Sequence, residues 1–188
     1  MNQYKTLMSV FLLTLAGLLL SACNEQKPEA EITEAVETIK PFELYEAHVD
    51  GRITVFYDHD LYRDFLQMGE TPYRKTFIGE GPKGETLVYG LTKADKSKTE
   101  GISSIDLMQG KITAPDNFYG EMYLDGRIYV FDNYEQMVSV RAMGEPPYRY
   151  TMIGAGPAGE TVVLVLRSDN KKQFPQTLQQ AFKAHNGQ

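Results

Sequence analysis

The chain has 188 residues, of which 42% are hydrophobic and 11% aromatic, and its formal net charge at pH 7 is −6. This composition is typical of a folding chain rather than a disordered one, and the length allows one ordinary core or two small ones. The acidic balance argues against nucleic acid as a partner, because binding to phosphates depends on basic side chains that release counterions.

The first residues have the pattern of an exported precursor. Lys5 is the only charged residue before Cys23, and an uncharged run extends from Leu7 to Leu20. This run is shorter than the ~20 apolar residues that a transmembrane helix needs. Its length instead suits the hydrophobic region of a secretory signal peptide. We therefore expect residues 1–22 to be a signal peptide.

The end of this segment, Leu20-Ser21-Ala22-Cys23, resembles the lipobox of bacterial lipoprotein precursors. The resemblance implies that Cys23 is lipidated, that cleavage precedes it, and that the new amino group is acylated, which gives a firm membrane anchor. Asn24 stands where inner-membrane retention signals typically have Asp, so the resemblance implies the outer membrane, facing the periplasm. Because Cys23 is the only cysteine, we expect no disulfide and no thiolate site in the folded part.

The rest of the chain contains an internal repeat. Residues 42–91 align with residues 117–166 without a gap, at an offset of 75, and 23 of the 50 pairs are identical. We call residues 42–95 the first half and residues 117–171 the second half. The predicted organisation is a signal peptide (1–22), a lipidated cysteine with an acidic stalk (23–41), the first half, a linker (96–116), the second half, and a C-terminal helix with a tail (172–188).

Each half is predicted to fold as a hairpin, a helix and a second hairpin. In the first half, Asp50-Gly51 is typical of a type I′ turn, Asp58 is a good helix N-cap, and Gly69 stands where glycine ends a helix. The second half has equivalent residues at these places: Asp125-Gly126, Asn133 and Gly144. The fold class is therefore α+β, a tandem duplication of a ββαββ module. Since one copy is too small to be stable alone, we expect the copies to pack about a pseudo-twofold axis.

The pattern G-x-G-x-x-G occurs in both halves, at residues 79–84 and 154–159. A dinucleotide site requires these glycines to begin a helix. The residues that follow, such as Thr161 to Leu166, are typical of a strand instead. We therefore interpret both stretches as hairpin turns.

Repeated polar side chains are the first candidates for a binding site. Arg74 and Arg149 each follow a tyrosine, and an arginine can bind a carboxylate or phosphate through its planar fork. The alternative is that these residues form salt bridges that fix the loop after the helix. The sequence leaves open two equivalent sites or one shared site. The candidate residues are Glu70, Tyr73, Arg74, Glu145, Tyr148 and Arg149.

His48 and His59, with Met68 nearby, are candidates for an alternative site that would hold Cu(I). Residues 125–143 resemble YHS-type metal-associated modules and the copper lipoproteins that assist nitrous oxide reductase. The resemblance implies a strand followed by a short helix. The cysteine that these families usually have after the strand is absent, and Asp132-Asn133 stands there instead.

The sequence has no ordered Ser-His-Asp set and no repeated histidine, so we expect no catalytic residue and no cofactor. The favoured function is that of a non-enzymatic envelope lipoprotein whose duplicated module binds a partner protein or a small anionic ligand. A periplasmic copper carrier is the alternative, and a hydrolase of the envelope ranks third.

Overall fold

The computed structural model describes residues 41–187. The predicted signal peptide, Cys23 and nearly all of the predicted stalk lie outside the described residues. Within the described range, the predicted α+β class is confirmed, because eight strands form one mixed sheet and four helices accompany it. None of the helices in this range is long and apolar enough to cross a membrane.

The first half contributes five elements: β1 (Phe42–Val49), β2 (Arg52–Phe56), α1 (His59–Met68), β3 (Arg74–Phe77) and β4 (Thr86–Gly90). The β1–β2 hairpin has the predicted type I′ turn, since Asp50 and Gly51 have φ angles of 52° and 69°. The carboxylate of Asp58 accepts a hydrogen bond from the backbone N–H of Leu61 at 3.0 Å, which confirms the predicted N-cap. Gly69 ends the helix at φ 77°.

The linker contains a short helix, α2 (Ser103–Met108), which the sequence analysis did not predict. Ile105 and Leu107 are buried and hold this helix against the core. The second half and the C-terminal segment then contribute β5 (Phe118–Leu124), β6 (Arg127–Phe131), α3 (Tyr134–Met143), β7 (Arg149–Met152), β8 (Thr161–Val165) and α4 (Gln176–His185).

The two halves meet through one parallel pair of strands at the centre of the sheet. Strands β1 and β5 pair from Phe42 with Phe118 to His48 with Leu124. Reading outward from this pair, the order is β2, β4, β3 on one side and β6, β8, β7 on the other. The edges of the sheet are therefore β3 and β7.

Helices cover both faces of the sheet. Successive residues of a strand point to opposite faces, so Leu44 and Glu46 lie on one face, which we call face A, and Tyr45 and Ala47 lie on the other, face B. The buried side chains of α2 and α3 belong to the cluster around Leu44, and those of α1 and α4 to the cluster around Tyr45. The helices α1 and α3, which occupy equivalent places in the two halves, thus pack on opposite faces.

Both glycine-rich stretches are hairpin turns, as predicted. In the first, the N–H of Gly81 donates to the carbonyl of Glu85 at 2.9 Å, and strand β4 follows directly. In the second, Gly156 donates to Glu160 at the same distance, and strand β8 follows. Neither stretch begins a helix, so neither has the geometry of a dinucleotide site.

Candidate functional site

The two predicted arginines lie far apart in the sheet. Arg74 begins β3 and Arg149 begins β7, and these are the opposite edge strands. Six strands separate them, so the structure favours two separate sites over one shared site.

In the second half, the predicted residues are engaged with one another. One Nη of Arg149 donates to Glu145 and to the carbonyl of Pro146, both at 3.3 Å. Arg127 reaches the same glutamate at 3.7 Å. The hydroxyl of Tyr148 accepts a hydrogen bond from Lys171 at 3.1 Å. These contacts agree with the alternative in which the residues fix the loop after the helix.

The first half places the equivalent residues around an open cleft of about 350 Å³ on face B, beside α1. Arg52, Glu70 and Arg74 line this cleft. Within residues 41–187, neither arginine lies within salt-bridge distance of a carboxylate, in contrast to the second half. Tyr73 does not line the cleft, since its ring packs with the face A core and lies 5.0 Å from the amine of Lys96. We call this cavity the arginine cleft.

One pair of equivalent residues helps to explain why the arginine cleft is open in the first half. Thr54 lines the arginine cleft, and the equivalent position in the second half is Tyr129, which is buried in the core. A hydrogen bond with Tyr129, and the charge of Glu145, raise the pKa of Arg127. The small threonine therefore leaves space in the first half where the second half has a phenol ring.

The residues of the predicted copper site do not come together. The ring of His48 lies on face A, where its Nε2 is 2.9 Å from a carboxylate oxygen of Glu46. His59 lies on face B, with its ring 5.2 Å from that of Tyr45. Met68 is largely exposed at the end of α1. Across residues 41–187, the structure holds no cluster of three or more His, Cys, Asp or Glu arranged for a metal ion.

Two buried carboxylates that were not predicted as site residues lie at equivalent positions, Glu46 in β1 and Glu121 in β5. Both residues are fully buried. Glu46 forms an ion pair with Arg141 of α3, whose Nε donates to the two carboxylate oxygens at 2.9 and 3.1 Å. Burial alone would raise the pKa of Glu46, but the charge of Arg141 and the hydrogen bonds of His48 and Arg141 lower it to about 2.

Glu121 has only neutral donors. Its Oε1 accepts hydrogen bonds from the hydroxyl of Tyr119 at 2.6 Å and from the amide of Asn186 at 2.9 Å. Its Oε2 is buried and finds no donor within the described part of the chain. Burial raises the pKa of Glu121 to about 6, so the carboxylate is ionised at pH 7 without a salt-bridge partner among residues 41–187.

One sequence signal could have identified this pair. Glu46 and Glu121 are identical at the offset of 75, and each lies between buried residues in the middle of its strand. A charge retained inside a buried strand indicates a partner or a ligand, because an unpaired buried charge is costly.

Comparisons of the chain with protein-family models, with curated proteins and with solved structures found no match.

Proposed function

We propose that this chain is a non-enzymatic lipoprotein of the bacterial envelope that binds a small anionic ligand in the arginine cleft. The observation that carries the proposal is the pair Arg52 and Arg74, which line one concave surface and have no carboxylate partner within residues 41–187. Unpaired guanidinium groups in a cleft attract carboxylates and phosphates, to which they can donate two parallel hydrogen bonds. The concave shape favours a small ligand over a partner protein.

The rest of the lining indicates what else the ligand contains. Hydroxyl groups come from Thr54, Thr76 and Thr86, and an apolar surface comes from Phe65 and Val88. The lining also contains the carboxylates of Asp50 and Glu70, neither of which forms a salt bridge with Arg52 or Arg74 within residues 41–187. The volume of about 350 Å³ lies at the lower end of the range for small-molecule sites. The lining therefore suits a carboxylate or phosphate that is attached to a small apolar group.

The two halves are, in this proposal, copies of one ββαββ module that are related by a pseudo-twofold axis parallel to the strands, between β1 and β5. The repeat in sequence, with 23 identities in 50 pairs, supports this relation. So does the order of strands, which reads the same outward from the central pair. The location of α1 and α3 on opposite faces is what a rotation about such an axis requires.

The membrane anchor is proposed from the lipobox-like residues and is tested at Cys23. The full chain is expressed in a Gram-negative host, and its intact mass is measured after extraction from the membrane fraction. We expect a chain that begins at Cys23 and carries the added mass of acyl groups. The Cys23→Ser variant is expected to keep its signal peptide and to lack the acyl mass. Equal masses and equal processing in both chains would exclude the anchor.

The anion site is tested by titrating the purified full chain in detergent with phenyl phosphate and benzoate at constant ionic strength, followed by NMR. The test variant is Arg52→Gln with Arg74→Gln, and the matched control is Arg127→Gln with Arg149→Gln. We expect the test variant to bind at least tenfold more weakly than the unmodified chain, and the control to bind equally well. Absent binding, or equal losses in both variants, would overturn the proposal.

A further inference from the structure

A second cleft lies on face B, where α1 of the first half meets β5 and β6 of the second half. It has a volume of about 120 Å³, and its lining includes Tyr62, Leu66, Glu121, Ile128 and Ala158. We call it the Glu121 cleft. It is separate from the arginine cleft, with which it shares no lining residue.

Unpartnered polar atoms concentrate at the Glu121 cleft. In the described part of the chain, four buried side-chain atoms have no hydrogen-bond partner, and three of these belong to residues that line this cleft. They are Nε2 of His59, the hydroxyl of Tyr62 and Oε2 of Glu121. A folded protein rarely leaves buried polar atoms without a hydrogen-bond partner, because their desolvation is then uncompensated. Three such atoms around one cavity make this cleft a candidate binding site for a ligand that hydrogen-bonds to them.

A cleft on face A, beside Glu46, is the counterpart of the Glu121 cleft and shows how a buried carboxylate is neutralised at the equivalent place. Four positions that line it are equivalent to four that line the Glu121 cleft. The pairs are Ile53 with Ile128, Lys83 with Ala158, Glu85 with Glu160, and Arg141 with Leu66. The carboxylate Glu85 is retained as Glu160, as Glu46 is retained as Glu121, whereas the cations Lys83 and Arg141 are replaced by Ala158 and Leu66. The guanidinium that neutralises Glu46 therefore has no counterpart at the equivalent position, Leu66. The guanidinium that does line the Glu121 cleft, that of Arg63, pairs with Asp60 at 3.1 Å.

The free atoms suit a donor with a positive charge. Oε2 of Glu121 is an acceptor, and the hydroxyl of Tyr62 can accept as well. Burial and the charges of His185 and Arg63 lower the pKa of His59, which favours the neutral ring, in which one nitrogen can accept. Burial and the charges of Glu121 and Glu160 raise the pKa of Tyr62, which keeps its hydroxyl protonated.

We infer that the Glu121 cleft binds the terminal ammonium group of an alkylamine. The ammonium supplies the missing positive charge and three N–H donors. The alkyl chain contacts Leu66, Ile128 and Ala158, which are the apolar part of the lining. The volume agrees, because a cavity of roughly 150 Å³ holds a molecule as large as benzene. The amine is either a free small molecule or the side chain of a lysine in a peptide.

The test uses the full chain in detergent at about pH 8, where Glu121 is ionised and an alkylamine is protonated. n-Butylammonium is titrated against n-butanol, its neutral counterpart, with binding followed by NMR at constant ionic strength. We expect n-butylammonium to bind at least tenfold more tightly than n-butanol. Equal affinities would overturn the inference, because the charge would then contribute nothing.

Variants locate the binding to this cleft. Glu121→Gln removes the charge and keeps the shape, and we expect at least a tenfold loss of affinity. Leu66→Arg places a guanidinium where α3 has Arg141, and we expect it to block binding. The matched control is Glu80→Gln, an exposed carboxylate outside this cleft, and it should bind as the unmodified chain does. Unchanged affinity in both Glu121→Gln and Leu66→Arg would overturn the inference.

A further arm identifies the source of the amine. The pentapeptide Gly-Gly-Lys-Gly-Gly, blocked at both ends, is compared with n-butylammonium. Binding of the peptide at least tenfold more tightly supports a lysine side chain, and equal or weaker binding supports a free amine. Failure of both probes to bind better than n-butanol would overturn the inference and would leave the anion proposal untouched, since that one is tested at Arg52 and Arg74.

Discussion

The first half of the sheet presents a buried carboxylate to a guanidinium, and the second half presents an equivalent carboxylate to neutral donors alone. Glu46 pairs with Arg141 and His48, whereas Glu121 receives hydrogen bonds from Tyr119 and Asn186. Each carboxylate is covered by a helix of the other half. Helix α3 of the second half covers Glu46, and helix α1 of the first half covers Glu121. A change in one helix thus alters the electrostatics of the other half's central strand.

The contrast has two stability consequences of opposite sign. An ion pair in the interior is weak evidence for high stability, but the removal of one partner is strongly destabilising, because the remaining charge stays buried. Glu46 would be left as such an unpaired buried charge if Arg141 were removed. Glu121 already lacks a charged partner, so the removal of its charge relieves a cost. Variants at the two sites should therefore move the free energy of unfolding in opposite directions.

The largest effect is expected for Arg141→Leu, which gives α3 the residue that α1 has at the equivalent position. The buried carboxylate of Glu46 then loses its guanidinium, and we expect the free energy of unfolding to fall by about 3–5 kcal/mol. Urea denaturation measures this change. The double variant Glu46→Gln with Arg141→Leu should recover part of the loss. A fall of less than about 1 kcal/mol in the single variant would contradict the assignment of the pair as a buried one.

A smaller effect on the free energy of unfolding is expected when a change of pH alters the protonation of Glu121. Its pKa is raised from 4.5 to about 6 in the folded chain, so the folded state binds more protons than the unfolded state between these values. The protonated carboxyl of Glu121 makes its whole contribution to the free energy of unfolding below about pH 4.5. That contribution is lost as the pH rises through about 6. The loss is about 2 kcal/mol, from 1.36 kcal/mol per pKa unit.

The measurement is the difference in unfolding free energy between the unmodified chain and Glu121→Gln across pH 4–8. The variant should be relatively more stable at the upper end of that range. A difference that does not depend on pH would refute the raised pKa. Glu46 shows the opposite dependence, since its lowered pKa contributes stability above 4.5 that is lost as the pH falls toward 2.

The smallest effect is expected at the helix N-caps, where the halves agree. Asp58 and Asn133 accept backbone hydrogen bonds at 3.0 and 3.1 Å from Leu61 and Gln136. Asp58→Ala and Asn133→Ala should each lower the free energy of unfolding by about 1 kcal/mol. Chemical denaturation of both variants checks this. Markedly unequal losses would contradict the equal contribution of the two caps.

The sequence predicted the local elements because short-range rules determine them. The Asp50-Gly51 turn, the Asp58 cap and the glycine at the end of α1 each depend on the conformations of a few neighbouring residues. The short helix α2 was not predicted, because its segment is mostly polar and no side-chain hydrogen bond caps its start. Its formation depends on the burial of Ile105 and Leu107 against the sheet.

The site could be predicted only in part, because its contacts are long-range. Repetition identified Arg74 and Glu70, and both line the arginine cleft. The same repetition contained Glu46 and Glu121, yet their partners depend on which helix covers which face. Glu46 and Arg141 are 95 residues apart, and no local pattern relates them. The parallel pairing of β1 with β5 sets that relation.

The parallel β1–β5 pair also bears on how such an asymmetric molecule could arise. A single ββαββ module would expose β1 as an edge strand, and two identical chains could join along it as a symmetric dimer. Such a dimer must carry the same residue at both helix positions, so it has either two guanidinium groups or none. Fusion into one chain removes that constraint. Arginine on one face and leucine on the other then become independent of each other.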